Sequence, residues 1–181
     1  MAKFFSELTP SQIEFVGRQK IFFVASAPDS GRVNLSPKGM DTFRILSSRR
    51  AGYLDVTGSG NETAAHLKQN GRVTLMLCAF EGAPLIFRIY GRGHMVQPPD
   101  ADWEQLRPLF GPTLPGERQL VIVEIDQTYT SCGYGVPFFD YQGEREQLIA
   151  WAEKKGPEGL AAYRAEKNQQ SIDGLPTGLS V

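Results

Sequence analysis

Leu54-Asp-Val-Thr-Gly-Ser-Gly-Asn-Glu-Thr63 is the stretch on which the reading of this chain turns. Its first residues continue a β-strand spanning Gly52 to Thr57, and Asn61 opens a short helix that reaches Gln69 and stops at Asn70-Gly71. A turn of glycines and hydroxyl side chains joins the two. Backbone N–H groups at a helix start point outward without partners, and the helix dipole adds partial positive charge there. A phosphate suits that geometry. Upstream, Ser36-Pro-Lys-Gly39 sets one lysine beside the same turn.

On either side of this unit the pattern is short strands joined by tight turns. Ile21–Ser26 is aromatic and β-branched, Pro28-Asp-Ser-Gly31 reverses the chain, and Arg32–Ser36 returns, which makes a hairpin. Arg72–Phe80 and Leu85–Val96 pair across Glu81-Gly-Ala-Pro84, and Gln119–Ile125 is a sixth strand. Thr9-Pro-Ser-Gln12 starts a helix that runs to Gln19, with a capping threonine, proline at the first position and glutamine where a capping box needs it. Further helices are predicted over Pro98–Phe110, Glu144–Lys155 and Pro157–Lys167. Six short strands with brief helices exclude a doubly wound parallel sheet. The tight turns require antiparallel neighbours, and closure removes exposed edges. The expected fold is mainly β: an antiparallel six-stranded barrel with peripheral helices.

Composition narrows the class. The chain has 181 residues, 41% hydrophobic and 22% charged, which suits one domain with a sizeable core. A net charge of -1, with no run of lysines or arginines, gives no support to a nucleic-acid-binding surface. Cys78 and Cys132 lie far apart without metal-ligand spacing, and no window resembles a membrane span. With no secretory signal in Met1-Ala-Lys-Phe-Phe-Ser-Glu-Leu8, the expectation is a cytoplasmic protein with free thiols, Cys132 buried. His66 and His94 have no third ligand at metal spacing, so no metal site is expected.

Four segments together resemble the pyridoxamine 5'-phosphate oxidase-like, FMN-binding split-barrel family: Asn34-Leu-Ser-Pro-Lys-Gly39, Leu54 to Thr63, Ala64-Ala-His-Leu-Lys-Gln-Asn-Gly71 and Arg88-Ile-Tyr-Gly91. The likeness covers about residues 15–130. Ser131-Cys-Gly-Tyr-Gly-Val-Pro137 and Ser171-Ile-Asp-Gly-Leu-Pro176 extend it toward a bacterial and fungal subgroup. The resemblance implies a split-barrel domain over residues 1–140, with a helical extension and tail of the same domain over 141–181. It also implies a homodimer holding FMN in interface clefts and acting as an oxidoreductase on a small molecule. The cofactor-binding residues it implies are Ser36, Pro37, Lys38, Asp55, Thr57, Gly58, Ser59, Gly60, Asn61, Glu62, Thr63, Arg88 and Tyr134. No catalytic residue is assigned, because the flavin itself carries the redox chemistry.

Two departures from that family shape the expectation. Where its best-known oxidases carry an Arg-Lys pair at the helix start, this chain has Glu62-Thr63; Lys38 and Arg88 could supply the positive charge, and Ser59, Asn61 and Thr63 could donate hydrogen bonds. The vitamin-B6 oxidases end in an arginine- and tryptophan-bearing segment, whereas this chain ends Gly174-Leu-Pro-Thr-Gly-Leu-Ser-Val181. Oxidation of pyridoxamine phosphate is therefore not expected. The alternatives are a split barrel that binds flavin, haem or the deazaflavin F420 without turnover, and an interaction protein with an empty cleft.

Overall fold

In the computed structural model, which describes residues 2–181, eight strands form one antiparallel sheet that curls without closing. The strands are β1 (Lys3–Phe5), β2 (Phe22–Ser26), β3 (Asn34–Lys38), β4 (Phe43–Ser47), β5 (Arg50–Val56), β6 (Arg72–Cys78), β7 (Ile86–Val96) and β8 (Glu117–Ser131). Their order is β3-β2-β6-β7-β8-β5-β4, with β1 on the far end of β8. β3 and β4 are the ends of this path, and β1, bonded to β8 alone, is a further short edge. The antiparallel barrel expected from the turns is therefore present, but with eight strands rather than six.

The two extra strands have local reasons for escaping notice. β1 is three residues long and is defined only by its register with Thr128–Thr130, which no local pattern reveals. β4 is a half-exposed edge with mixed polarity, paired to β5 alone. The second hairpin strand is Asn34–Lys38, not Arg32–Ser36, because the Arg32 N–H is drawn to Asp173 Oδ2 at 2.7 Å instead of entering the ladder. Lys38 thus belongs to the strand itself.

Helix α1 (Pro10–Arg18) starts as predicted. Gln12 donates its N–H to Thr9 Oγ1, and Gln12 Oε1 accepts from the Thr9 N–H, completing a capping box. Thr9→Ala is expected to cost about 1 kcal/mol, read by urea denaturation. Helix α2 (Glu62–Asn70) ends on Gly71, whose φ of 71° is left-handed. The predicted helix over Pro98–Phe110 shrinks to α3 (Trp103–Leu106) and a 3-10 turn at Arg107–Phe110. Two causes act: Asp100 folds back on the Gln97 N–H at 2.7 Å, and Pro108 has no N–H to continue the ladder. The two C-terminal helices are one kinked element, α4 (Gln147–Lys167), broken at Gly156 (φ 66°) before Pro157. It begins later than Glu144, which instead accepts from the Met40 N–H and the Tyr141 hydroxyl.

The interior of the curled sheet holds Val24, Tyr53, Leu75, Phe87, Ile89, Val121 and Val123, sealed at one end by Phe15 and Val16 of α1. A second cluster of Leu54, Val96, Leu120 and Ile122 packs beneath Leu106 and Phe110. β7 alternates buried Phe87 and Ile89 with outward Arg88 and Tyr90, the period-two pattern the sequence predicts. No helix among the described residues is long and apolar enough to cross a membrane.

Candidate functional site

The site grows around Asp55, near the end of β5. Register pairs Lys38 with Phe22, Ser36 with Val24 and Asn34 with Ser26, so these three polar side chains share the inner face of the sheet. From there Lys38 Nζ reaches Asp55 Oδ1 at 2.8 Å. Arg118 of β8 donates to Asp55 Oδ2 from Nε at 3.1 Å and Nη2 at 2.7 Å, and Gln119 Nε2 adds a bond at 2.9 Å. Asp55 is only 4% exposed. Burial alone would raise its carboxyl, but Arg118 and then Lys38 outweigh that effect and hold it well below the usual carboxylate range.

The glycine turn beyond β5 is shaped by side chains from outside it. Arg118 Nη1 donates to the Gly60 carbonyl at 3.0 Å, and Asn168 Nδ2 donates to the Gly58 carbonyl at 3.1 Å. In a trans peptide the carbonyl and the next N–H point in opposite directions. The Ser59 and Asn61 N–H groups therefore face away from Arg118 and Asn168. At the base of the turn, Arg164 Nε donates to Thr57 Oγ1 at 2.8 Å, and that hydroxyl donates to the Gly116 carbonyl.

The start of α2 continues this row of outward amides. The Asn61 side chain makes no capping bond, and the first internal bond runs from the Ala65 N–H to the Asn61 carbonyl. Glu62, Thr63 and Ala64 find no acceptor for their N–H groups among the described residues. Beside them stands Tyr53, fully buried, its hydroxyl close to Thr63 but without a completed hydrogen bond. Burial first, and Asp55 second, push its phenol well up, so it remains a donor. The Glu62 carboxylate, which would repel an anion, is turned to the C-terminal tail, where both oxygens accept from the Ile172 N–H at 3.1 and 3.0 Å.

Of the predicted residues, Ser36, Lys38, Asp55 and Thr57 through Thr63 assemble around this turn. Ser36 Oγ donates to Asn34 Oδ1, and Asn34 Nδ2 donates to Thr63 Oγ1. Pro37 and Arg88 lie on the opposite, outer face, in one cross-strand row Pro37–Phe23–Met76–Arg88–Tyr129. Arg88 there donates to Ser131 Oγ at 3.2 Å. Tyr134 stands exposed on the coil after β8. Sequence reasoning missed Tyr53, Arg118, Gln119, Arg164 and Asn168. The one available signal was a charged and an amide residue, Arg118-Gln119, leading into an apolar strand.

Other features lie apart from the turn. His66 is buried with Nδ1 at 2.9 Å from Ser26 Oγ, and His94 is exposed on β7. Cys132 is exposed rather than buried, because it follows the last ladder residue of β8. A cavity of about 210 Å3 lies between α1 and β4, and an open cleft of about 380 Å3 lies beside Arg72, Tyr90 and Asp126.

Fold and site together define a split-barrel protein in which α2 opens on N–H groups that have no acceptor among the described residues. Solved structures share that fold: HupZ from Group A Streptococcus (TM-score 0.57, 18% identity, 68% of this chain and 98% of that one) and a candidate pyridoxamine 5'-phosphate oxidase from Lactobacillus delbrueckii (TM-score 0.54, 18% identity, 68% and 94%). A curated relative, the pyridoxamine 5'-phosphate oxidase family protein ustO of Aspergillus flavus, is 36% identical over 193 aligned positions, covering 97% of this chain and 78% of the relative. The pyridoxamine 5'-phosphate oxidase family profile matches residues 8–132. The chain belongs to that family.

Proposed function

We propose that this protein binds FMN through its phosphate at the opening turn of α2 and serves as a flavin-dependent oxidoreductase for a small molecule. The observation that carries this reading is the set of outward N–H groups of Ser59, Asn61, Glu62, Thr63 and Ala64, with Lys38 and the unpartnered Tyr53 hydroxyl beside it. Charge supports it. Lys38, Arg118 and Arg164 face Asp55 and Glu62 around the turn, and Arg164 meets no carboxylate among the described residues. One positive charge is left over, which suits an anion.

Bound FMN would supply hydride and electron transfer. The protein's part is to hold it: backbone amides and Lys38 take the phosphate, while Asp55 and Arg118 keep Lys38 and the turn in place. Tyr53 stays protonated and can donate a hydrogen bond.

The outer sheet face supports a homodimer. Leu35, Phe23, Met76, Tyr90, Tyr129 and Phe4 lie side by side there, with Phe4 62% and Leu35 64% exposed. Apolar sheet area of this kind calls for cover. A second copy brings Arg88 and Pro37 to the same seam, where the flavin ring would lie. Unbridged thiols, one of them exposed, suit a reducing compartment such as the cytoplasm.

A visible spectrum of purified protein tests the cofactor. We expect a yellow dimer that is bleached by reductant; a Soret band, or a colourless protein that FMN does not reconstitute, would overturn the reading. Lys38→Ala is expected to weaken FMN at least about tenfold, or about 1.4 kcal/mol, while riboflavin changes little. Arg88→Ala, on the other face, is expected to change FMN and riboflavin affinity in parallel, as read by fluorescence titration.

A further inference from the structure

The Gly58 carbonyl of the glycine turn, and the Arg118 guanidinium that holds the Gly60 carbonyl, are both contacted from a part of the chain that the family profile does not reach, residues beyond 132. Asn168, the residue that caps α4, has no exposed surface and every polar atom of its side chain is engaged. Its Nδ2 donates to the Gly58 carbonyl at 3.1 Å, and its Oδ1 accepts from Arg118 Nη1 at 2.9 Å. Its own carbonyl accepts from Asn61 Nδ2 at 3.4 Å and from Thr177 Oγ1 at 2.7 Å. One residue therefore touches the first and last positions of the turn and the guanidinium that holds Gly60 in between.

The tail that follows closes over the same place. Ile172 offers its N–H to Glu62, and Asp173 takes the Arg32 N–H and side chain at the tip of the β2–β3 hairpin. Thr177, itself without exposed surface, locks the tail back onto Asn168.

We infer that Asn168, seated by the tail, is a positioning residue for the anion-binding turn: it fixes the Gly58 and Gly60 peptide planes so that the Ser59 and Asn61 N–H groups face the ligand. This rests on the FMN reading above and assigns part of that site to the end of α4. Without the Gly58 bond, the first peptide plane of the turn rotates freely. Without the Arg118 bond, the guanidinium loses one of the anchors that aim it at Gly60. Neither change touches the barrel interior, so ligand affinity falls while the β-core stays intact.

The test compares wild type, Asn168→Ala and Asn168→Asp by FMN titration and by amide hydrogen exchange. Asn168→Asp keeps an acceptor for Arg118 but loses the donor to Gly58, so it separates the two bonds and serves if the alanine variant fails to fold. We expect Asn168→Ala to weaken FMN at least about tenfold. With FMN bound to each protein, exchange should quicken at Ser59, Asn61, Glu62, Thr63 and Ala64, whose N–H groups have no acceptor in the protein other than the ligand, and stay unchanged in β2, β6 and β7. Asn168→Asp should show the same local exchange with an intermediate loss of affinity. Wild type that binds FMN beside variants within about twofold of it, or exchange that quickens throughout the sheet, would overturn this inference alone. Wild type that binds no FMN would overturn it together with the reading beneath it.

Discussion

Asp55→Ala is expected to destabilise the fold by about 3–5 kcal/mol, the range found when one partner of a buried ion pair is removed. The carboxylate is the shared acceptor of Lys38, Arg118 and Gln119. Its loss leaves the Arg118 guanidinium, which has 3% side-chain exposure, beside a second cation with no counter-charge. Burial costs that ions in water do not bear then fall on the folded state alone. Urea denaturation of the two proteins measures the difference, and a loss below about 1 kcal/mol would show that the network is not a buried one.

The same network sets a pH signature. The Asp55 carboxyl is held below its unfolded value, so its stabilising contribution is fully present above the unfolded pKa of about 3.9 and is lost as pH falls from there toward the folded value. Wild-type stability should therefore drop below about pH 4 more steeply than that of Asp55→Asn, which has no carboxyl to protonate. Denaturation midpoints across pH 2.5 to 7 would show the two curves converging in acid.

Gly91→Ala is the second large effect. A methyl group there would collide with the Glu124 carbonyl oxygen and stand 2.9 Å from Val123 Cγ1. The nearest atom is backbone of β8, which cannot swing aside as a side-chain tip would. Gly91 also sits where the β7–β8 register shifts after Tyr90, so the close approach is part of the bulge that bends both strands. We expect a cost of about 3 kcal/mol, at the upper end of the usual overpacking range. Gly58→Ala provides the contrast: its added methyl meets nothing within 4 Å, so thermal stability should stay within about 0.5 kcal/mol of wild type. Equal melting temperatures for the two variants would refute the packing argument.

These residues also mark how far the sequence could be read. Strand alternation, turn residues and the capping box around Thr9 act over a few neighbouring positions, and the hairpins, α1 and α2 follow from them. Lys38, Asp55 and the turn from Thr57 to Thr63 were legible for the same reason, since a strand entering a helix through glycines is a local signature. Pro98–Phe110 misled because its composition favours helix while Asp100 and Pro108 break the geometry from within. Lys38 and Arg88 were read as one phosphate grip, yet strand register puts them on opposite faces of the sheet. Register is a long-range property, and a chain of strands does not announce it.

By itself, then, the order of amino acids determined the antiparallel barrel class and the strand-to-helix turn, because both rest on short-range periodicity and turn chemistry, and it determined the family through likeness of whole segments. Only the folded chain decided which charges meet. Arg118 lies 63 positions from Asp55, and Asn168 lies 110 from Gly58, and neither spacing carries any local signal. Burial makes those distant contacts obligatory, since a cation or amide removed from water must find its partner wherever the fold has placed it.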